Sequence, residues 1–398
     1  MCQEDAPGRA PSPALDMPET ALSNDAPALD VLIWGTYDLG KPRVRIMRDA
    51  LGRSGARVTE IHAPVWDGVD DKSVIGTGAA LARALRWAAA YPGLLWRLAR
   101  APRPDVIVIG YLGHLDVLLA WPIAALRRLP VVWDAFLSLH DTVVADRRKV
   151  SPKHPVALAL KAWEWLACRA ATRVVLDTEA QADLFRTSYG LSRERVTSAL
   201  VGAEASAFPV APPRLPGARA TVLFYGQFIP LHGIATIVDA ARAARDKPID
   251  WVIVGTGQMA GQIGAGLAAD RPPHLTWHEW VPYPELVERI AAADVCLGVF
   301  GASDKAGRVI PNKVFQILAA GRPLVTRDGP DIRELVPEGA EGIALVPPGD
   351  PAALIAAVER LIAAAPYRPD LHADLRASFA PDALARRWDT ILRDAVAA

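Results

Sequence analysis

Apolar residues along the chain gather into short continuous runs, at 31–34, 106–109, 131–133, 173–176, 222–225, 251–254, 295–299 and 323–326, with stretches of helical length between them. Runs of strand length that do not alternate with polar residues predict parallel strands buried on both faces. The pattern therefore predicts a doubly wound α/β architecture, and it occurs twice. Between the two halves, residues 208–216 carry Pro209, Pro212, Pro213 and Pro216, which break any regular element. The expected division is a disordered tail over 1–28, a first domain over 29–209, a linker over 210–218, a second domain over 219–378 and a last helix over 379–398 packed back toward the first domain. Open parallel sheets bind ligands beyond the carboxyl ends of their strands, so two in tandem are expected to share one cleft. Residues 106–126 are apolar enough to suggest a membrane span, but His114 and Asp116 sit in the middle. An acid there costs roughly 3 kcal/mol on insertion scales. A strand over 106–109, a loop over 110–113 and a helix fit better.

Composition narrows the classes. The 398 residues hold 44 Lys and Arg against 44 Asp and Glu, a net charge of zero, with 51% hydrophobic residues. Broad nucleic-acid binding needs a basic excess that this chain lacks. Cys2, Cys168 and Cys296 are far apart and match neither a disulfide framework nor a zinc spacing, which fits a reducing cytoplasm. The first 28 residues hold five prolines and no apolar block, so a disordered tail is expected rather than a secretory signal. Residues 73–104 contain no acid, while Arg83, Arg86, Arg97, Arg100 and Arg103 interleave with leucines and aromatics. Two readings stay open for this stretch: a helix at an anionic membrane surface, or an ordinary packed helix with solvated arginines. A helix carrying Trp163 and Trp165 would extend either surface.

Candidate chemistry concentrates in the second half. Residues 294–326 read as a strand, a Gly-bearing loop, a helix from about Asn312 to Gly321, and a strand led by Pro323. A helix N-terminus leaves backbone N–H groups unpaired and carries partial positive charge, which suits a diphosphate. Lys313 and Arg308 add formal charge, and Gln316 lies one turn on, where it would reach ribose hydroxyls. On a purely structural reading, Asn312 is a cap, Lys313 a surface charge and Gln316 a helix former. Upstream, residues 222–233 form a strand and loop in which Gly226 admits close backbone approach, with Gln227 and His232 over the strand ends. A third loop carries Gly255, Gly257 and Gly261 after a strand, a weak dinucleotide spacing with Glu279 at ribose distance.

The order of these segments, GQFIPLHG, VIVGTG, ADVCLGVFG, RVIPNKVFQILAAGRPLVT, RELVPEG and VPPGDPAAL, resembles the donor domain of bacterial family-four glycosyltransferases of GT-B fold. In the first half, GTYDLGKPR and RAATRVVLDTEAQADLF agree. The resemblance implies two Rossmann-like domains facing a central cleft, the second binding a UDP- or GDP-sugar donor and the first an acceptor. It also implies hexosyl transfer with retention, without a metal ion or cofactor, to a glycan or polyprenyl-linked acceptor of the cell envelope, in the cytoplasm or at the inner face of the cytoplasmic membrane. Donor contacts then fall on Gly35, Thr36, Gly40, Gly226, Gln227, Gly255, Gly257, Val309, Ile310, Pro311, Asn312 and Gln316. Lys313, Arg308, His232 and Asp134 are the catalytic candidates, and Lys41, Arg43 and His114 lie on the acceptor side. The chain departs from the family at its E-x7-E positions, here Arg308 and Gln316, and at the diphosphate-clamping Arg and Lys, replaced by Gln227 and His232. Phe136 stands where the family often places a His. A nucleotide-sugar epimerase or hydrolase of the same fold, or a non-catalytic nucleotide-sugar-binding subunit, are the alternatives.

Overall fold

A computed structural model describes residues 27–66, 77–204, 206–212, 217–364 and 368–398, with backbone alone over 77–84. Most of the expected tail, residues 213–216 of the expected linker, and residues 73–76 with the side chain of Arg83 lie outside the described residues.

The first half runs β1 (Asp30–Gly35), α1 (Pro42–Arg53), β2 (Arg57–His62), α2 (Thr77–Arg100), β3 (Val106–Ile109), α3 (His114–Arg127), β4 (Val131–Phe136), α4 (Pro155–Ala170), β5 (Arg173–Leu176), α5 (Glu179–Tyr189) and β6 (Val196–Ser198). Its strands form one parallel sheet in the order β2-β1-β3-β4-β5-β6. Alternate residues of each run enter different cores. Leu32, Trp34, Ile107 and Ile109 pack against α2 to α5, while Val31, Ile33, Val106 and Val108 pack against α1. That two-sided burial is why the central runs are apolar throughout.

The second half runs β7 (Ala220–Tyr225), α6 (Ile234–Ala243), β8 (Ile249–Val254), α7 (Ala260–Ala269), β9 (Leu275–His278), α8 (Tyr283–Ala292), β10 (Val295–Leu297), α9 (Asn312–Ala319), β11 (Leu324–Arg327), β12 (Ile343–Val346), α10 (Pro351–Ala364), α11 (Ala373–Ser378) and α12 (Pro381–Val396). Its sheet is also parallel, ordered β12-β11-β10-β7-β8-β9. The last helix crosses back: Leu384, Trp388, Ile391 and Leu392 of α12 join the core that α1 covers on the first sheet. The structure adds four strands that continuous apolar runs do not announce, β2, β6, β9 and β12, and all four are sheet edges.

Candidate active site between the two sheets

A cleft of about 370 Å³ opens at the carboxyl ends of the strands, lined by Phe136 from the first half and by the β7 loop and the start of α9 from the second. The β7 loop is shaped by glycine. Gly226 has φ +138°, and a Cβ there would lie 2.8 Å from Lys313 Nζ. Only glycine lets the backbone pass so close to the ammonium. The loop turns back on itself through the His232 ring, whose Nδ1–H donates to the Gln227 carbonyl. That bond sets the tautomer and leaves Nε2 as the acceptor. Burial, and then the nearby Lys313, hold the His232 pKa well below the usual value, so the ring is neutral.

Lys313 is the unusual group. It lies in the first turn of α9, is 5% exposed, and its Nζ has no hydrogen-bond partner. Its Nζ sits 3.9 Å from the centre of the Phe224 ring. Burial pulls its pKa well below the ordinary lysine value. A buried cation without an acceptor is costly, and this one stands beside helix N–H groups that also lack intrahelical acceptors. Both needs are met by one anion with several oxygens. One turn on, the Tyr225 hydroxyl donates to Gln316 Oε1 at 3.0 Å and lies 3.2 Å from the Lys313 carbonyl. With Oε1 so engaged, Gln316 offers the cleft an N–H donor, where a glutamate would offer a second acceptor.

The first half contributes less to the cleft than its sequence suggests. Phe136 lies at a register shift between β4 and β5 and holds φ +63°, a conformation that bulky residues rarely adopt. The turn presents its ring, edge-on to Tyr111, to the second domain. Asp134, two residues earlier, does not reach the cleft. It is wholly buried and takes Arg43 Nε and Nη2 at 2.7–3.1 Å, while Arg43 Nη1 donates to the carbonyls of Ala199 and Leu200. The sequence offers Asp134 as a catalytic candidate and Arg43 for the acceptor; the fold gives them to each other.

Thr36 is likewise spent on the interior, its N–H and hydroxyl donating to the buried Asp116 carboxylate. Gly35 is glycine because a Cβ would meet Asp116 Oδ2 at 2.5 Å, and the Gly40 N–H closes a turn onto Asp38. Lys41 is half-buried at the N-cap of α1 without a capping bond, outside the cleft lining. His114 meets Glu164 at 3.1 Å, and Glu164 also accepts from Ser138, Leu139 N and Tyr189. That network is internal. The Gly255 and Gly257 loop packs on the β7 loop instead of cradling a ligand: a Cβ on Gly255 would fall 1.9 Å from the Gly226 carbonyl oxygen. Val309, Ile310, Pro311 and Asn312 do line the cleft, as do Gly226 and Gln227.

Arg308 belongs to the contact between the halves. Its Nη2 donates to both oxygens of Asp141 at 3.0 Å, and its carbonyl accepts from Thr178 Oγ1. Lys305 Nζ donates to Thr142 Oγ1 at 2.5 Å, and the Glu334 carboxylate caps α5 by accepting from Glu179 N and Ala180 N, both at 2.7 Å. These contacts carry no sequence motif; each joins residues more than 120 positions apart. Burial pushes Glu334 and Asp331 up to about 7. The native state therefore holds protons that the unfolded chain, with carboxyls near 4, releases, and stability falls as pH rises from about 4 to 7. Glu334→Gln keeps a neutral group at every pH. Relative to the wild type it is expected to gain on the order of 2 kcal/mol between pH 5 and pH 8, read by denaturant titration at both; a gap that does not change with pH would refute the protonated interface.

Residues 219–364 match the family described as Glycosyl transferases group 1. Over these residues the chain is similar to a group 1 glycosyltransferase domain. The two described halves together have the GT-B fold of solved glycosyltransferase structures. Anabaena HepE in complex with UDP and glucose superposes with a TM-score of 0.61 at 14% identity, covering 92% of this chain and 99% of that one. Sucrose-phosphate synthase from Thermosynechococcus elongatus gives 0.66 at 16% identity, covering 91% and 98%. The lipopolysaccharide outer core galactosyltransferase WaaB gives 0.62 at 13%, covering 91% and 98%. No curated protein matches the sequence. The matched segment thus supplies nearly all of the cleft lining, and the first half closes it with Phe136.

Proposed function

We propose that the protein transfers a hexose from a nucleoside diphosphate sugar, a UDP-sugar before a GDP-sugar, to a glycan or lipid-linked acceptor, with retention and without a metal ion. The observation that carries this reading is Lys313, a buried amino group with no hydrogen-bond partner at a helix N-terminus in the cleft. The leaving group of such a transfer is a diphosphate, whose charge grows as the bond to the sugar breaks. Preorganised donors aimed at that charge lower the barrier. Lys313 and the first N–H groups of α9 take the diphosphate, Gln316 reaches toward the ribose, and neutral His232 offers Nε2 to a sugar hydroxyl. Phe136 gives the sugar an apolar wall. Asp134, Arg43 and His114 are structural in this reading, and Arg308 holds the halves together. The UDP preference draws on the HepE complexes, which contain UDP, UDP with glucose and UDP-glucose. A lipid-linked acceptor would bring the protein to the inner face of a membrane.

A thermal-shift panel of UDP, GDP, ADP and CMP sugars tests the donor class, since a ligand that binds only the native state raises its melting temperature according to affinity. A shift with the UDP sugars that persists in EDTA is expected. No shift with any of them would overturn the reading, and binding without sugar release on any acceptor would make the protein a binding subunit.

A further inference from the structure

The layer formed by α2, α3 and α4 on one side of the first sheet is inverted in polarity. Inward, it carries the ordinary core contacts of Leu94, Val117 and Ala167. Outward, it is apolar as well. On α4 the exposed stripe is Val156, Leu158, Ala159, Ala162, Trp165 and Leu166. On α3, Trp121, Pro122, Ala125 and Leu126 are exposed, and Leu126 is 86% so. On α2, Leu85 and Trp96 are 64% and 59% exposed. Eight of the twelve large apolar side chains exposed among the described residues belong to these three neighbouring helices.

The polar remainder has one sign. The exposed charges of the described side chains on the three helices are Arg86, Arg97, Arg100, Lys161 and Arg169; the only acids, Asp116 and Glu164, are buried. No uncharged polar side chain is exposed there among the described residues. Arg100 and Arg169 lie over the rings of Trp96 and Trp165, at 4.5 and 4.8 Å. A protein partner that covered an apolar face would leave a rim of mixed charge, whereas a rim of cations alone complements a surface that is uniformly negative. Exposed tryptophans and leucines with arginine and lysine are what an interfacial helix presents to a bilayer. No helix among the described residues is long and apolar enough to cross a membrane, so the layer would lie on it.

We infer that the outward side of α2, α3 and α4 docks on an anionic lipid bilayer. The helices α3 and α4 follow β3 and β4 in a parallel sheet, so their first turns lie on the side of the strands' carboxyl ends, where the cleft opens. A lipid-linked acceptor of the proposed transfer would thus rise from the bilayer beside the cleft. The docking surface rests on that reading only for its purpose; its test reads lipid, not turnover.

The test is co-sedimentation of the full chain with vesicles of phosphatidylcholine alone or with about one-third phosphatidylglycerol. The wild type is expected in the pellet with the anionic vesicles only, and high salt is expected to release part of it. Leu158→Glu with Leu166→Glu changes exposed positions, keeps the melting temperature and weakens vesicle binding at least roughly tenfold. Arg97→Gln with Arg100→Gln is the second variant and shifts binding toward higher phosphatidylglycerol content. A wild type that stays in the supernatant with both vesicles overturns the inference, as does glutamate-variant binding equal to the wild type. So does a concentration-dependent dimer in sedimentation equilibrium that the glutamate pair abolishes, since the layer would then be a contact between copies. Vesicle binding with no sugar transfer would leave the docking surface standing and remove the transfer reading.

Discussion

Lys313→Met is expected to lose nucleotide-sugar turnover by at least about a hundredfold and at the same time to make the empty protein more stable. The two effects have one origin. The lysine nitrogen is held against Phe224 with no acceptor, and methionine fills nearly the same volume without a group that demands one. Removing an unsatisfied buried polar group returns about 1–3 kcal/mol. The pH dependence has a definite sign. Because burial lowers the native pKa, the unfolded chain binds the proton first as pH falls, so the wild type gains stability as pH rises toward about 10. The variant lacks that gain, and its advantage is largest near neutral pH and shrinks in alkali. Denaturant melts at several pH values read this. An anion beside Lys313 raises its pKa again, so between the pKa of the empty and of the bound state binding takes up a proton, seen in calorimetry as a binding enthalpy that changes with the ionisation enthalpy of the buffer. Unchanged UDP affinity in the variant would remove Lys313 from the site.

Asp134→Ala is expected to fail in the opposite way, by unfolding rather than by chemistry. It leaves the Arg43 guanidinium buried with two carbonyl acceptors and without the carboxylate that it is paired with. Breaking a buried pair from one side costs about 3–5 kcal/mol, which corresponds to a melting-temperature loss of roughly 6–20 °C for a domain of this size. The double substitution Arg43→Met with Asp134→Leu restores apolar packing and should recover much of that loss. UDP affinity of the folded fraction should be unchanged throughout. A variant that melts like the wild type yet loses turnover would return Asp134 to the reaction.

The contrast between these two residues shows what a sequence discloses. Central strands such as β3, and β5 after Arg173, are legible because both faces are buried and the positions are apolar. The edge strand β2 is not, since Arg57, Thr59 and Glu60 face solvent and its run reads as loop. The second-domain half of the site is legible for a similar reason: a glycine loop and a helix start are local patterns, and Gly226, His232, Lys313 and Gln316 all meet in the cleft. In the first half, Thr36, Arg43, His114 and Asp134 also stand at strand ends and loop turns. Their partners lie 50 to 157 positions away, and no local pattern shows that these groups are already satisfied inside. The positive φ of Phe136 and the capping of α5 by Glu334 depend on contacts made only after folding.

The return of α12 to the first sheet has a consequence for the order of assembly. Trp388, Ile391 and Leu392 complete the core that α1 and β1 begin, more than 330 residues after Ile33 has been made. During synthesis the second domain has all its strands and most of its helices before that last segment emerges, so the half that starts the chain is the later one to close. Until then its α1 side exposes Val44, Met47 and Leu51, and the newborn protein is most exposed to aggregation at the end it began with.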